Sequence, residues 1–563
     1  MNLRLLWIVF IVFSFTGMPK GIAQGWLWAK SAGGTSNESA TAITADTSGN
    51  VYLTGSFSSP NVTFGSVMLT NNSTSGNTDI YIVKYDPNGN VLWAKSAGSS
   101  DEDYATSIAL DAWGNIYVAG FFYSTSITFG TTTLTNDSTT ATSDVYVVKY
   151  SPSGNVIWAR KAGGTMDDRI NAVTTDVAGN VIVTGSFESK YLIFGTDTVK
   201  NPLVATDDVF VIKYDSSGNF VWATGSGQVG DNFGYAITTD ASNNIFVAGS
   251  FNSSSISFGS SVLSNSGTGT DDMFLVKYNS SGTVAWATRA TGKNNDMATA
   301  LGTDATGNIY VSGRFASDTM FFNSTALINS GAYDAFIAKY NTTGHVVWAK
   351  SISTGTTINY AYSLSVDDTA NVIIAGNFGN GTITFGASTI TNSNAGTYDL
   401  FIAKYDSLGN AQWANTTGGA GSVANGVAKD VTGNIYLSGN YSDSSFYFGT
   451  NLLLNAGINT GTTDMFVAKY SQGATIVVNV TSPAYGIALY PNPADGIINV
   501  ALTGSGYNSI AVYDCLGRPV YTSQLTGNEK AVKINTADFK DGVYILRTIH
   551  GSTTESTTFV IRK

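Results

Sequence analysis

Carboxylates are the side chains of this 563-residue chain whose spacing could carry chemistry, and they recur in three registers. Asp46, Asp111, Asp176, Asp240, Asp304, Asp367 and Asp430 each stand four residues before an asparagine, from Asn50 and Asn115 through to Asn434. Such oxygens suit Ca²⁺. They suit equally a turn in which the carboxylate accepts backbone N–H bonds and the Asn adopts a left-handed conformation, the simpler reading because it needs no ligand. A second set, Glu38, Asp103, Asp168 and Asp296, has Asn232, Asn359 and Ser422 at the equivalent positions. Each lies five residues before the apolar centre of an expected strand. An incomplete acidic ring of this kind could take a cation or a polar ligand; solvated loop carboxylates are the plainer alternative. In the third register Asp79, Asp144, Asp208, Asp272, Asp334, Asp399 and Asp464 precede a lysine by five residues, from Lys84 to Lys469. Five is odd, so in a regular strand the two point to opposite faces and cannot be each other's ion-pair partner.

These patterns argue against catalysis. Glycoside cleavage needs two carboxyl groups about 5–9.5 Å apart in distinct environments, and no unique pair breaks the repetition. The two histidines, His345 and His550, are isolated, Cys515 is the sole cysteine, and no nucleophile–His–acid grouping, zinc motif or phosphate loop is present. A non-enzymatic role is expected, with no firm cofactor or metal and Ca²⁺ at the turns as the alternative.

The elements that would position these groups are set by tryptophan. Trp28, Trp93, Trp158, Trp222, Trp286, Trp348 and Trp413 are each followed by Ala, at intervals of 65, 65, 64, 64, 62 and 65 residues. A period of that length marks a repeat architecture. Within one repeat, Ala105–Asp111 alternates small or apolar with polar residues, and Ile116–Gly120 and Asp144–Tyr150 are β-branched and aromatic. Val156–Ala159 completes four expected strands, with a Thr/Ser-rich excursion around Phe129-Gly130. Four strands per unit and no 3.6-residue periodicity point to an all-β chain: a seven-bladed β-propeller of four-stranded blades, followed by a small C-terminal β-sandwich. The pattern opens with a fourth strand, Trp26–Ala32, and ends on a third, Asp464–Tyr470, so the N-terminal strand is expected to close the ring. Deleting residues 24–34 should then harm folding more than deleting 68–78, read as loop. The tryptophans are expected to pack between blades rather than stack on sugars; Trp113, unique at its turn, is the one kept for exposure.

Arg4, the apolar run Leu5–Phe15 and the small residues before Ala23 read as a signal peptide over 1–23, cleaved between Ala23 and Gln24. Its removal takes Arg4 and Lys20 and leaves 26 basic against 39 acidic side chains, a net −13, which disfavours nucleic acid and anionic membrane surfaces. No later segment has about 18 consecutive apolar residues, so no integral membrane span is expected. The remaining boundaries are a propeller over 24–470, a linker over 471–484 and a C-terminal module over 485–563.

Two resemblances follow from quoted segments. Asp103–Gly120 and Asp176–Gly185 resemble the SBBP repeats of bacterial secreted proteins, which implies a propeller and an extracellular setting but no defined ligand. Leu489–Gly496, containing Tyr490, Pro491, Asn492 and Pro493, is followed by Val512–Val520 with Gly517 and Arg518, by Gly542–Leu546 with Tyr544, and by the basic end at Lys563. Together these resemble a type A sorting domain of the type IX secretion system of Bacteroidota. That resemblance implies export through the periplasm, recognition by the type IX machinery, and release or attachment to surface lipopolysaccharide. Asp137-Ser138-Thr139, Asp197-Thr198-Val199, Asp318-Thr319-Met320 and Asp406-Ser407-Leu408 also resemble a short O-glycosylation acceptor motif of such exported proteins. The expected function is a secreted or cell-surface binding or adhesion scaffold for a glycan or protein ligand. The alternatives are a polysaccharide lyase or hydrolase, and a structural outer-surface component.

Overall fold

The computed structural model describes residues 24–473 and 486–562, apart from 139–140, 203–205, 228, 268, 354–357, 393–395, 418–420 and 458–460 in the first span and 491–493, 495, 504–505, 515–516 and 551–552 in the second. The expected signal peptide over 1–23 with Ala23, and Pro491, Asn492, Pro493, Cys515 and Lys563, lie outside the described residues. The chain divides into two compact units, Met1–Ala474 and Thr475–Lys563.

Among its described residues the first unit holds seven four-stranded antiparallel sheets. Blades are numbered by their first strands: one Glu38–Ala45, two Asp103–Leu110, three Asp168–Thr175, four Asn232–Thr239, five Asp296–Thr303, six Asn359–Val366 and seven Ser422–Lys429. Successive first strands touch in chain order, and Glu38–Ala45 touches Ser422–Lys429, so the sheets form a closed β-propeller. Second and third strands such as Ile116–Phe122 and Asp144–Tyr150 are buried almost throughout. Their near-continuous apolar runs follow from having a neighbouring blade on each face. The fourth strands are only partly buried and keep polar residues between apolar ones.

Ring closure is made by the N-terminus. Gly25–Ala32 is the fourth strand of blade seven, paired antiparallel with Asp464–Ser471 so that Ala29 faces Ala468 and Ala32 faces Met465. Trp26 packs its ring against Phe448 and Tyr470 at 4.7 and 5.0 Å. Val467 and Tyr436 of blade seven share one core with Leu53 and Val83 of blade one.

A β-bulge in every first strand explains a repeated glycine. In blade two the register with the second strand shifts between Ala105 and Ser107. This pushes the Tyr104 carbonyl toward the second strand, where a Cβ on Gly120 would sit 1.9 Å from that oxygen. Gly55 meets the Ser39 carbonyl in the same way at 1.8 Å. No side chain fits there.

The Thr/Ser-rich excursions are not plain loops. Each blade carries an extra two-stranded hairpin, Ser126–Phe129 with Thr132–Thr135 in blade two. Ile127, Phe129 and Leu134 alternate with Thr and are buried, and Phe129 rests 5.0 Å from the Tyr146 ring. The alternation is present in the sequence, but four residues per strand is too short a run to stand out among threonines.

The second unit is a β-sandwich. A three-stranded sheet of Gly486–Tyr490, Ile497–Thr503 and Ala531–Asn535 and a four-stranded sheet of Pro519–Gln524, Tyr507–Tyr513, Gly542–His550 and Thr553–Ile561 enclose one core containing Ile498, Val500, Val512, Leu546 and Phe559.

Candidate functional site

The aspartates before the asparagines close hairpin turns. Asp111 Oδ1 accepts from the Trp113 and Asn115 backbone N–H groups at 3.0 and 2.9 Å, and Oδ2 accepts from Asn115 Nδ2 and the Tyr117 hydroxyl at 2.8 and 3.2 Å. The third-strand lysine supplies the countercharge: Lys213 lies 2.8 Å from Asp176 and Lys404 3.0 Å from Asp367. Lys149 and Lys339 pair in the same way with Asp111 and Asp304, so these four lysines meet an acid of the first register, not the acid five residues before them. Burial opposes ionisation of Asp367, but bonds from Asn371, Thr369 and Lys404 outweigh it and hold the carboxyl at about 2. These partners occupy the oxygens that the Ca²⁺ alternative required. Among the described residues no group of three or more His, Cys, Asp or Glu is arranged to hold a metal ion.

Glu38, Asp103, Asp168 and Asp296 do not form an open acidic ring. All four are fully buried where one blade joins the next. Asp103 accepts from the Ser99 N–H and the Ser124 hydroxyl, both at 2.9 Å, and Asp296 from the Ser317 hydroxyl at 2.7 Å. The reason lies in the connection between blades. It folds back onto the preceding blade's third strand, with the Asp103 N–H donating to the Thr78 carbonyl at 2.8 Å, and carries the acid inward. A ligand cannot reach these oxygens.

Six of the repeated tryptophans, from Trp28 to Trp348, donate their indole N–H to a carbonyl of the next blade, Trp93 to Pro152 at 3.3 Å and Trp222 to Ser280 at 3.2 Å. Trp113 is 63% exposed. His345 is an exposed turn residue beside the Thr343 hydroxyl at 2.9 Å.

A further group of departures from the repeat lies at the end of the ring opposite Trp113, where first strands begin and second strands end. A belt of hydrogen bonds runs around this end. Thr41 donates to the Ala105 carbonyl, Thr106 to Ile170, Asn171 to Gly234, Thr299 to Ala361, and Asn425 to Ala40 across the closure. The two remaining positions hold Tyr235 and Tyr362 instead of Thr or Asn. Between them stands Arg314, whose guanidinium lies 4.4 Å from the Tyr360 ring centre and 5.4 Å from that of Tyr333. Tyr235 stacks on Phe233 at 5.6 Å and Tyr362 packs on Tyr360 at 5.6 Å. In blades two and three, Arg169 covers Phe121 at 5.7 Å, donates to the Tyr123 hydroxyl at 3.0 Å and meets Asp167 at 3.4 Å.

Carboxylates interact with both arginines, Asp207 with Arg169 and Asp271 with Arg314. Burial raises Asp207, and Asp231 and Asp167 raise it further against Arg169. Burial and the neighbouring Asp207 likewise raise Glu188, and burial with Asp231 raises Asp271. Asp167, Glu188, Asp207, Asp231 and Asp271 act on one another and face Arg169 and Arg314, so this cluster carries excess negative charge beside half-buried aromatic rings. Sequence reasoning missed it because its members are single deviations scattered from residue 121 to residue 362. The available signal was Tyr at positions otherwise held by Thr or Asn.

In the second unit Arg518 lies 2.7 Å from Asp514, Gly517 takes φ 78° in the same turn, the Tyr544 hydroxyl donates to the Lys540 carbonyl at 2.8 Å, and Tyr490 is exposed. Residues 488–562 match the model of the secretion system C-terminal sorting domain. This unit is therefore a sorting domain, which directs export to the cell surface or the extracellular space. The chain is 27% identical over 542 residues to an uncharacterized WD repeat-containing protein of Acanthamoeba polyphaga mimivirus, covering 81% of this chain but 39% of that protein. It is 30% identical over 172 residues to the regulatory protein FlaEY of Caulobacter vibrioides, covering 29% of this chain and 18% of that protein. It therefore spans less than two fifths of the length of either relative. The crystal structure of Sqt1 from Chaetomium thermophilum is 8% identical, with a TM-score of 0.36 over 74% of this chain and 96% of that one.

Proposed function

We propose that the propeller is a binding scaffold exported by the type IX machinery and displayed on, or released from, the outer surface, where it serves adhesion by holding a glycan without acid groups. The observation that carries this reading is the replacement of belt residues by Tyr235 and Tyr362 around Arg314. The other five positions spend their side chains on the next blade, whereas these two place aromatic rings at the ring's end. Tyrosine rings flanked by carboxylate acceptors and guanidinium donors suit the alternating apolar faces and hydroxyl groups of sugars. Five carboxylates against two arginines disfavour a polyanion such as a uronate or sulfated chain. Attachment to surface lipopolysaccharide after sorting, and a Bacteroidota-type SBBP repeat origin, belong to the same reading.

A glycan-active enzyme is the second reading, favoured by the raised carboxyl of Asp207 beside Asp231. Incubating the purified chain with neutral, amino and acidic glycans, and measuring both retention and chain length, separates the two. Retention of neutral or amino glycans without cleavage, lost in Arg314→Ala, is expected. Cleavage would move the assignment to an enzyme, and preference for acidic glycans would remove the ligand class.

A further inference from the structure

We infer that four of the seven blade junctions are each held by one proton shared between two buried carboxyl groups: Asp103 with Asp79, Asp168 with Asp144, Asp296 with Asp272, and Glu38 with Asp464. The backbone sets up the same encounter at each. The N–H of the first-strand opening residue donates to the carbonyl just before the preceding third strand's aspartate: Asp103 to Thr78 and Glu38 to Thr463 at 2.8 Å, and Asn232 to Asp207 and Asn359 to Tyr333 at 2.8 and 2.9 Å. The two side chains that follow are therefore neighbours in every case.

At two junctions the partner is an amide. Asn232 Nδ2 points to Asp208 Oδ1 at 3.5 Å and Asn359 Nδ2 to Asp334 Oδ1 at 3.3 Å. At the four acid junctions the corresponding Oδ1 atoms, those of Asp79, Asp144, Asp272 and Asp464, are buried without a hydrogen-bond partner. Leaving a carboxylate oxygen so placed is costly, and a buried polar atom is normally satisfied. An acid in place of the amide supplies the missing donor only if it keeps a proton. The rest of the surroundings is shared: the Ser253 hydroxyl donates to Asn232 Oδ1 at 2.7 Å as Ser124 and Ser189 donate to Asp103 and Asp168 at 2.9 Å. The Asn residues are thus the proton-free version of the same contact.

Burial drives the titration in the required direction. It pushes Asp103 to about 7 and Asp79 to about 6, Asp168 to about 8 and Asp144 to about 6, and Glu38 and Asp296 to about 7. Donors from Ser99 and Ser124 favour charge on Asp103, so the proton belongs to the pair rather than to either member. Asp208 is raised by burial as well, but the Asn232 amide serves its Oδ1 without a proton. The surroundings of the pairs differ. Lys161 lies 3.2 Å from Asp144 and also meets Asp137, Asp167 raises Asp168, and Arg289 lies 3.1 Å from Asp272. Asp79–Asp103 and Glu38–Asp464 face donors from Asn72, Ser99 and Ser124 or from Gly34, Ser59 and Ala456, with Tyr146, Tyr81 and Tyr441 as the nearby phenols. Among the described residues those two pairs form no ion pair with a cation.

The folded pair keeps its proton where an unfolded carboxyl, titrating near ~4, has lost it. The stability it contributes is therefore complete below about pH 4 and is lost as the pH rises through about 7. Unfolding the full chain in guanidinium chloride at pH 6 in weak buffer, and counting released protons, tests this. Asp103→Asn should fold, release about one proton fewer than the natural chain and lose less Tm between pH 5 and pH 8. Asn232→Asp should release about one more and lose more Tm over that range. Equal proton counts in the natural chain and Asn232→Asp would overturn the assignment, and decide the matter alone if Asp103→Asn does not fold. Stabilisation of the natural chain by added Ca²⁺ at pH 8, absent in Asp103→Asn, would overturn it in favour of a bridging cation.

Discussion

The Trp28 indole N–H donates to the Pro87 carbonyl at 3.1 Å, from the N-terminal strand to the blade that follows it in the ring. Lys469 Nζ reaches the same oxygen at 3.1 Å. The same pairing of indole and ammonium on one carbonyl recurs with Trp93 and Lys84 on Pro152, Trp158 and Lys149 on Ser216, and Trp348 and Lys339 on Ser407. The closing junction is therefore made by the same atoms as the others, although its two strands come from opposite ends of the propeller sequence.

Trp28→Ala should destabilise the propeller by about 2–3 kcal/mol, less than the ~3–5 kcal/mol of a fully buried tryptophan because this ring is half-exposed. Deleting residues 24–34 should cost far more, since it also exposes the Asp464–Ser471 edge to other chains. Chemical denaturation and light scattering measure the two effects. Segment 68–78 is a poor control for that deletion, despite its loop-like composition. Leu69 is buried and Asn71 Nδ2 donates to the Phe57 and Asn77 carbonyls at 3.1 and 2.8 Å.

Asp176→Ala should cost about 3–5 kcal/mol, because it strands the buried Lys213 ammonium 2.8 Å from the lost carboxylate. Adding Lys213→Met should recover part of that loss. A double-mutant cycle by urea denaturation reads the coupling, and additivity of the two changes would contradict a shared contact.

Gly120→Ala should destabilise by about 3 kcal/mol or more, since the new methyl would meet the Tyr104 carbonyl oxygen in the bulge. Gly76→Ala offers a contrast: its φ of 78° carries strain of about 1–2 kcal/mol, but nothing lies within reach of the added carbon. Thermal unfolding of the two variants separates collision from conformational strain.

How far the sequence carried depended on whether a feature repeats. The Trp-Ala segments, the turn aspartates and the out-of-phase ends recur or interlock, so fold, closure and the structural role of Asp111 were legible. The fate of Asp103 was not, because its burial depends on the connection docking against Thr78, a tertiary contact with no local signature. The Tyr235–Arg314–Tyr360 face was hidden for the opposite reason. Repeat alignment discards single exceptions, and only the ring places residues 79 and 125 positions beyond Tyr235 beside one another.

Tyr235→Thr tests whether that face trades stability for binding. In five other blades a Thr or Asn here donates to the next first strand, as Thr41 does to Ala105 at 2.6 Å. A threonine at 235 faces the Ala298 carbonyl by the same geometry and should add about 1 kcal/mol by extending the belt by one bond. It should also remove the ring stacked on Phe233 and one wall of the Arg314 cluster. The expected outcome is a higher Tm with weaker glycan retention, read by calorimetry and by binding to the glycan selected with the natural chain. Higher Tm with unchanged retention would leave Tyr235 outside the binding face, and lower Tm would show that the tyrosine itself supports the ring.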